Sequence, residues 1–305
     1  MFIEDKKSRV DVASRSVATS PDRTRYKVGN ISTVPRVAVC KVGDIRSLVR
    51  EDAQQNLLRA LYEPLLDLQV DTFLVVGDAL IKGNSLIKTK NNFSTFEFGG
   101  KAPISVKIAT EVSRSGAMRV PTSRCQTLGY EQSVRLRECM RQIAMHEKQN
   151  GFNYEFIIRT RPDIEYFESL PSSRCWRSLR RDVIWDMDTR FSTGMDQLNA
   201  DIVKDISEVD FIGDWLSVVP RNIAEWALTS IAGDFEKCIP FTVPTGNVCG
   251  KNNHRWGWPE CRFKCAYQKG GGTVLAGKLM TESSAKFQWH TLLRCMNSDC
   301  SLVKR

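Results

Sequence analysis

Apolar residues come in short runs along this chain, and most runs are stopped by Gly, Pro or Asp. Arg36 to Val42 (RVAVCKV) reads as a buried strand that ends in Gly43-Asp44. Ser47 is suited to cap a helix through Leu61, with Leu48, Leu57, Leu58 and Leu61 on one broad face and a stop near Pro64. Asp71 to Gly77 (DTFLVVG) is a second strand with a glycine stop. Strand, helix and strand joined by a crossover of this length favour a parallel α/β sheet.

Residues 78–125 carry little periodicity beyond a short strand at Pro103 to Ile108. Tyr130 to Asn150 is the clearest helix, with Val134, Met140, Ile143 and Ala144 as an apolar stripe and Asn150-Gly151 as its stop. Strands are expected at Tyr154 to Ile158, at Val183 to Trp185, and in two runs between Val209 and Val219. Pro220 then opens a helix to about Ile231, and Pro259 opens another through about Tyr267. Gly270-Gly-Gly272 reads as a flexible joint, and there is no internal repeat.

Composition changes this picture little. The chain has 305 residues, 42% hydrophobic and 26% charged, which excludes whole-chain disorder and leaves room for one large domain or two small ones. No apolar run approaches the ~20 residues of a membrane span, so no integral membrane segment is expected. Residues 1–33 lack the apolar core of a signal peptide and read as a flexible basic arm. With neither signal peptide nor anchor legible, the expected location is cytoplasmic or Golgi-associated.

Charge is more informative. The net charge is +9, and residues 114–181 hold 13 Lys/Arg against 7 Asp/Glu, 12 of the 13 being Arg. Arginine's rigid fork matches phosphate or carboxylate geometry, so the block points to a phosphate-bearing partner or to a solvated basic face. Aromatics are not interleaved with it in an RNA-binding pattern, and no nucleic-acid partner is expected.

The sharpest local feature is Tyr154-Glu-Phe-Ile-Ile-Arg-Thr-Arg-Pro-Asp163. A buried strand delivers Arg159, Arg161 and Asp163 at its C-terminal end, where ligands bind in open α/β sheets. Pro162 cannot continue the ladder, so the strand must break there. Asp186-Met-Asp188, after the Val183 strand, offers two carboxylates from one turn, a reasonable divalent-metal arrangement. Ten cysteines, six of them in the last quarter, allow disulfides, free thiols or a zinc site from Cys261, Cys265, Cys295 and Cys300.

The stretch from Tyr130 to Asp163, with Glu138-Cys139-Met140, Glu147, Asn150-Gly151-Phe152 and the I-I-R-T-R-P-D run, resembles an algal and viral family of glycosyltransferase-like proteins. Gly213-Asp-Trp-Leu-Ser-Val-Val-Pro-Arg221 and the Gly43-Asp44-Ile45-Arg46 turn are similar to further segments of that family. The resemblance implies a GT-A-like, Rossmann-like α/β fold over residues 34–268: a mixed, mainly parallel sheet flanked by helices. Residues 269–305 would form a Cys-containing segment packed on it.

The resemblance further implies a nucleotide-sugar donor and a hydroxyl acceptor on a glycan, lipid or protein. Asp163 would be a ligand for Mn²⁺ or Mg²⁺ or the sugar-binding acid, with Arg159 and Arg161 orienting it or neutralising phosphate. Gly43 and Arg46 would lie near the nucleotide. Glu260 or Asp214 would deprotonate the acceptor, Trp256 and Trp258 would stack on a sugar face, and His290 would lie near the metal. The motif is R-P-D and not a pair of carboxylates, which leaves metal dependence open. A non-catalytic sugar- or nucleotide-binding module on the same fold is the alternative, and a basic nucleic-acid-binding protein, suggested only by the net charge, is the lower one.

Overall fold

The computed structural model describes residues 34–44, 51–77, 97, 100–108, 129–162, 169–170, 172–176, 179–186, 190–191, 203–205, 209–211, 216–237, 266 and 275–278. The first strand, β1 (Arg36–Asp44), runs two residues beyond its expected end. It is followed by α1 (Glu51–Leu57), whose last turns widen over Leu58–Tyr62 and tighten over Glu63–Leu65. Next come β2 (Gln69–Gly77), β3 (Ser105–Ile108), α2 (Tyr130–Asn150) and β4 (Phe156–Thr160). They are followed by α3 (Ser173–Trp176), β5 (Val183–Asp186), β6 (Arg190–Phe191), β7 (Val203–Asp205) and β8 (Val209–Phe211). The described elements close with β9 (Leu216–Pro220), α4 (Arg221–Glu236) and β10 (Leu275–Lys278).

Eight strands form one sheet in the order β3-β2-β1-β4-β9-β5-β10-β7. The β3-β2, β2-β1, β1-β4 and β5-β10 pairs are parallel, while β9 opposes both β4 and β5, and β7 opposes β10. The sheet is therefore mixed and mostly parallel. β6 and β8 pair separately.

Side chains alternate across the sheet and build two cores. Ala38, Cys40 and Val42 of β1 pack with Phe73, Val75 and Ile157 against the apolar faces of α2 and α4. Val37 and Val39 pack with Leu74, Val76, Phe156 and Ile158 against Leu57, Leu61 and Tyr62 of α1 and its continuation, and against Trp176 of α3. Cys40 and Cys139 are joined as a disulfide between β1 and α2, with Cα atoms 6.1 Å apart.

The long helix matches its sequence pattern at both ends. Gly151 takes φ 70° at its C-terminus, a left-handed conformation that only glycine adopts freely, and its N–H donates to the Glu147 carbonyl at 2.9 Å. α4 extends five residues past its expected end, because Ala232 and Phe235 continue the buried face. β7 and β10 carry no signal strong enough to have been anticipated. Because β10 lies between β5 and β7, part of the segment after residue 268 completes the main sheet. The arm at residues 1–33 and the joint at 270–272 lie outside the described residues, as does the Pro259 helix apart from the buried Ala266.

Candidate functional site at the carboxyl edge of the sheet

The chain reverses its direction of travel across the sheet at β1. From β1 it moves outward to β2 and β3, then returns through α2 to β4 on the other side of β1. Right-handed crossovers in opposite directions put their helices on opposite faces. Accordingly α1 packs on one face and α2 on the other. Two neighbouring parallel strands whose helices leave to opposite sides open a crevice at their carboxyl ends, where ligands bind in open α/β sheets.

Register fixes what borders this crevice. Lys41 of β1 lies opposite Thr160, the last residue of β4, and β1 continues through Val42, Gly43 and Asp44. Gly43 has φ 149°, and a Cβ built there would lie 3.0 Å from Cδ of Pro162. Bare backbone at residue 43 therefore lets the two strand ends meet. Thr160 pairs with Leu216, the first residue of β9, and Ser217 pairs with Asp186, the last of β5. The ends of β1, β4 and β5 and the start of β9 thus share one edge. Arg46, Asp163, Asp188 and Asp214 are two or three residues along the chain from those termini and lie outside the described residues.

The arginines are not equivalent. β4 is shifted two residues from its expected span, because the ladder persists to Thr160, two residues short of Pro162. Arg159 therefore lies inside the strand, between Cys40 and Ser217, and is fully buried on the α2/α4 face. Arg161 follows the strand and is half-buried. The expected delivery of both guanidiniums at the strand end is thus met by Arg161 alone. Asp186 is the terminal residue of β5. Trp256, Trp258, Glu260 and His290, and the four cysteines considered for zinc, lie outside the described residues. Among the described residues there is no group of three or more His, Cys, Asp or Glu that could hold a metal ion.

A residue not singled out by its sequence also borders the crevice. Lys41 is 0% exposed, and its Nζ meets no hydrogen-bond partner among the described residues. It lies over the Tyr62 ring, 5.9 Å from its centroid. Burial pushes the amine down to about 7. The available signal was a lysine inside RVAVCKV, in phase with the buried Val37 and Val39.

Several residues quoted for the family resemblance do structural work in and around α2 and α4. Glu147 accepts from Arg221 Nε at 2.9 Å and Nη2 at 2.8 Å, and from the Tyr154 N–H at 3.0 Å. These bonds hold the guanidinium above its ordinary range and tie the end of α2 to the start of α4. Burial pushes the Glu138 carboxyl up, but hydrogen bonds from Arg141 and Gln142 outweigh it and leave the group below its usual range. His146 bonds the Tyr154 hydroxyl at 2.9 Å and packs edge-on against Phe73 and Phe152.

Among the described residues no helix is long and apolar enough to cross a membrane. A scan against protein-family models and a search of curated proteins both returned no match for this chain.

Proposed function

We propose that the protein is a GT-A-like glycosyltransferase that binds a nucleotide-sugar in the crevice between β1 and β4 and passes the sugar to a hydroxyl of a glycan, lipid or protein. The observation that carries this reading is the reversal of strand order at β1 and β4, with Gly43 and Arg161 at the crevice. The mixed, mainly parallel sheet is compatible with it. Gly43, which lets the ends of β1 and β4 meet, and Arg46 would lie near the nucleotide. Arg161 neutralises phosphate as the leaving group departs. Arg159, fully buried, acts by positioning the end of β4.

Asp163 belongs to the same proposal, as the acid that binds the sugar or holds Mn²⁺ or Mg²⁺, with Asp186, Asp188 and His290 as further candidate ligands. The cation would supply positive charge to the diphosphate. Glu260 or Asp214 would take the acceptor proton, and Trp256 and Trp258 would face the sugar.

A thermal-shift screen of UDP- and GDP-sugars, with and without Mn²⁺, tests donor binding. A donor-specific rise in Tm supports the reading. Asp163→Ala is expected to abolish donor turnover while leaving the Tm of the free protein unchanged. Turnover equal to the parent's would overturn the assignment. Binding without transfer across many acceptors would favour the non-catalytic module.

A further inference from the structure

An ammonium group without a partner is costly inside a protein, and buried cations are ordinarily paired. Lys41 is fully buried in the central strand and bonded to nothing among the described residues. The groups facing it explain why. On its face of the sheet, β2 presents Leu74 and Thr72, β4 presents Ile158 and Thr160, and β9 presents Leu216 and Val218. From the helical layer comes Tyr62, whose hydroxyl is engaged with Thr72 Oγ1 at 3.0 Å. None of these side chains carries a carboxylate.

Position supplies the second half of the argument. Lys41 is level with the last residue of β4 and two residues before Gly43, about 7 Å along the strand. Its four-carbon stem spans a comparable distance, and a lysine ammonium is a mobile point charge suited to phosphate.

We propose that Lys41 is the anion-binding cation of the crevice: stored against Tyr62 in the empty protein, it extends to the carboxyl edge to meet a diphosphate. The inference rests on the nucleotide-sugar reading of that crevice and adds a residue and a proton to it. In the empty protein the amine is largely uncharged above neutral pH, since burial lowers it to about 7. A dianion beside Nζ favours the charged form, so binding draws one proton from solvent onto the amine. Binding then becomes linked to pH through a group that touches the ligand.

The test is titration calorimetry of the full chain with UDP, GDP and inorganic pyrophosphate, with Mg²⁺ present, in two buffers of different ionisation enthalpy. At pH 8 the parent is expected to take up close to one proton per ligand bound. Near pH 6, where Lys41 already carries its proton, that uptake shrinks. Lys41→Met is expected to lose the pH 8 uptake and to bind about tenfold or more weakly. It is also expected to melt higher, since a buried unpaired amine has become an apolar chain of similar length. Lys41→Leu repeats the comparison with a second apolar side chain. Binding by the parent without proton uptake, or uptake and affinity retained in Lys41→Met, would overturn the role of Lys41 and leave the crevice reading standing. Failure of the parent to bind any of the three ligands would overturn both.

Discussion

At the amino edge of the sheet, the Tyr154 hydroxyl donates to Asp71 at 2.8 Å and bonds His146, while Arg36 lies 4.0 Å over the Phe152 ring. Five residues further along the same central strand, Lys41 is buried with no hydrogen-bond partner among the described residues. The Glu147–Arg221 pair stitches two helices together at the amino end, with the Tyr154 N–H completing the carboxylate's bonds. At the carboxyl end, bare backbone at Gly43 meets Pro162. The amino edge has the composition of a clamp, with interlocked charges and rings. The carboxyl edge keeps a costly cation beside a close β1–β4 junction, where Gly43 meets Pro162. On the proposed reading, stability and binding fall to opposite ends of the same strands, and substitutions at the two ends should behave in opposite ways.

The largest effect is expected at Lys41, and it should be a gain. The folded protein releases the Lys41 proton near pH 7, whereas an unfolded lysine holds it to about 10.5. Between those values the unfolded chain binds more protons, so stability rises with pH across that window and is lowest, and flat, below about 7. The full excursion is on the order of 4–5 kcal/mol. Lys41→Met should remove the rise and exceed the parent most at pH 6–7, as read from urea melts between pH 6 and 10. A parent curve without that rise would remove the contrast between the edges.

Next in size is Arg221→Met at the amino edge, and it should be a loss. Glu147 is 5% exposed and Arg221 21%, so removing the cation strands a buried carboxylate. A cost of about 3 kcal/mol is expected, near the lower end for breaking a buried pair because Arg221 keeps some contact with water. Chemical denaturation measures it. The folded fraction should bind UDP as the parent does; weakened binding at equal folded fraction would show that the two edges are coupled.

This division was legible in the sequence only where the signal is local. The short apolar runs in RVAVCKV and DTFLVVG, and the long stripe ended by Asn150-Gly151, are written within single elements, and β1, β2 and α2 form where those patterns lie. The Glu147–Arg221 pair spans 74 residues. Both letters stood out in motifs, but their meeting depends on how α2 and α4 pack. Arg159 was expected at an edge because Pro162 sets a limit for the strand. How closely the ladder approaches that limit is decided by pairing with β1 and β9. β7 and β10 are too short to carry a period and exist through their neighbours in the sheet. In the sequence Lys41 is one polar letter within an apolar run. Only the register with Thr160 turns it into a candidate for the site.

The smallest of the three effects is expected from Gly43→Ala, and it tests the crevice by shape instead of charge. Residue 43 holds φ 149°, which L-residues rarely adopt, and the new methyl would sit 3.0 Å from Pro162 Cδ. Pro162 is buried, so the proline ring cannot swing away freely and the β4 end must shift instead. A loss of about 1–2 kcal/mol is expected in urea melts, less than for Arg221→Met. Affinity should rank the other way. A displaced Pro162 carries Arg161 with it, so UDP binding by Gly43→Ala should weaken several-fold in calorimetry while Arg221→Met keeps it. Should Gly43→Ala bind UDP as tightly as the parent despite its lower stability, the junction of β1 and β4 would be a packing feature and the ligand would have to lie elsewhere along the edge.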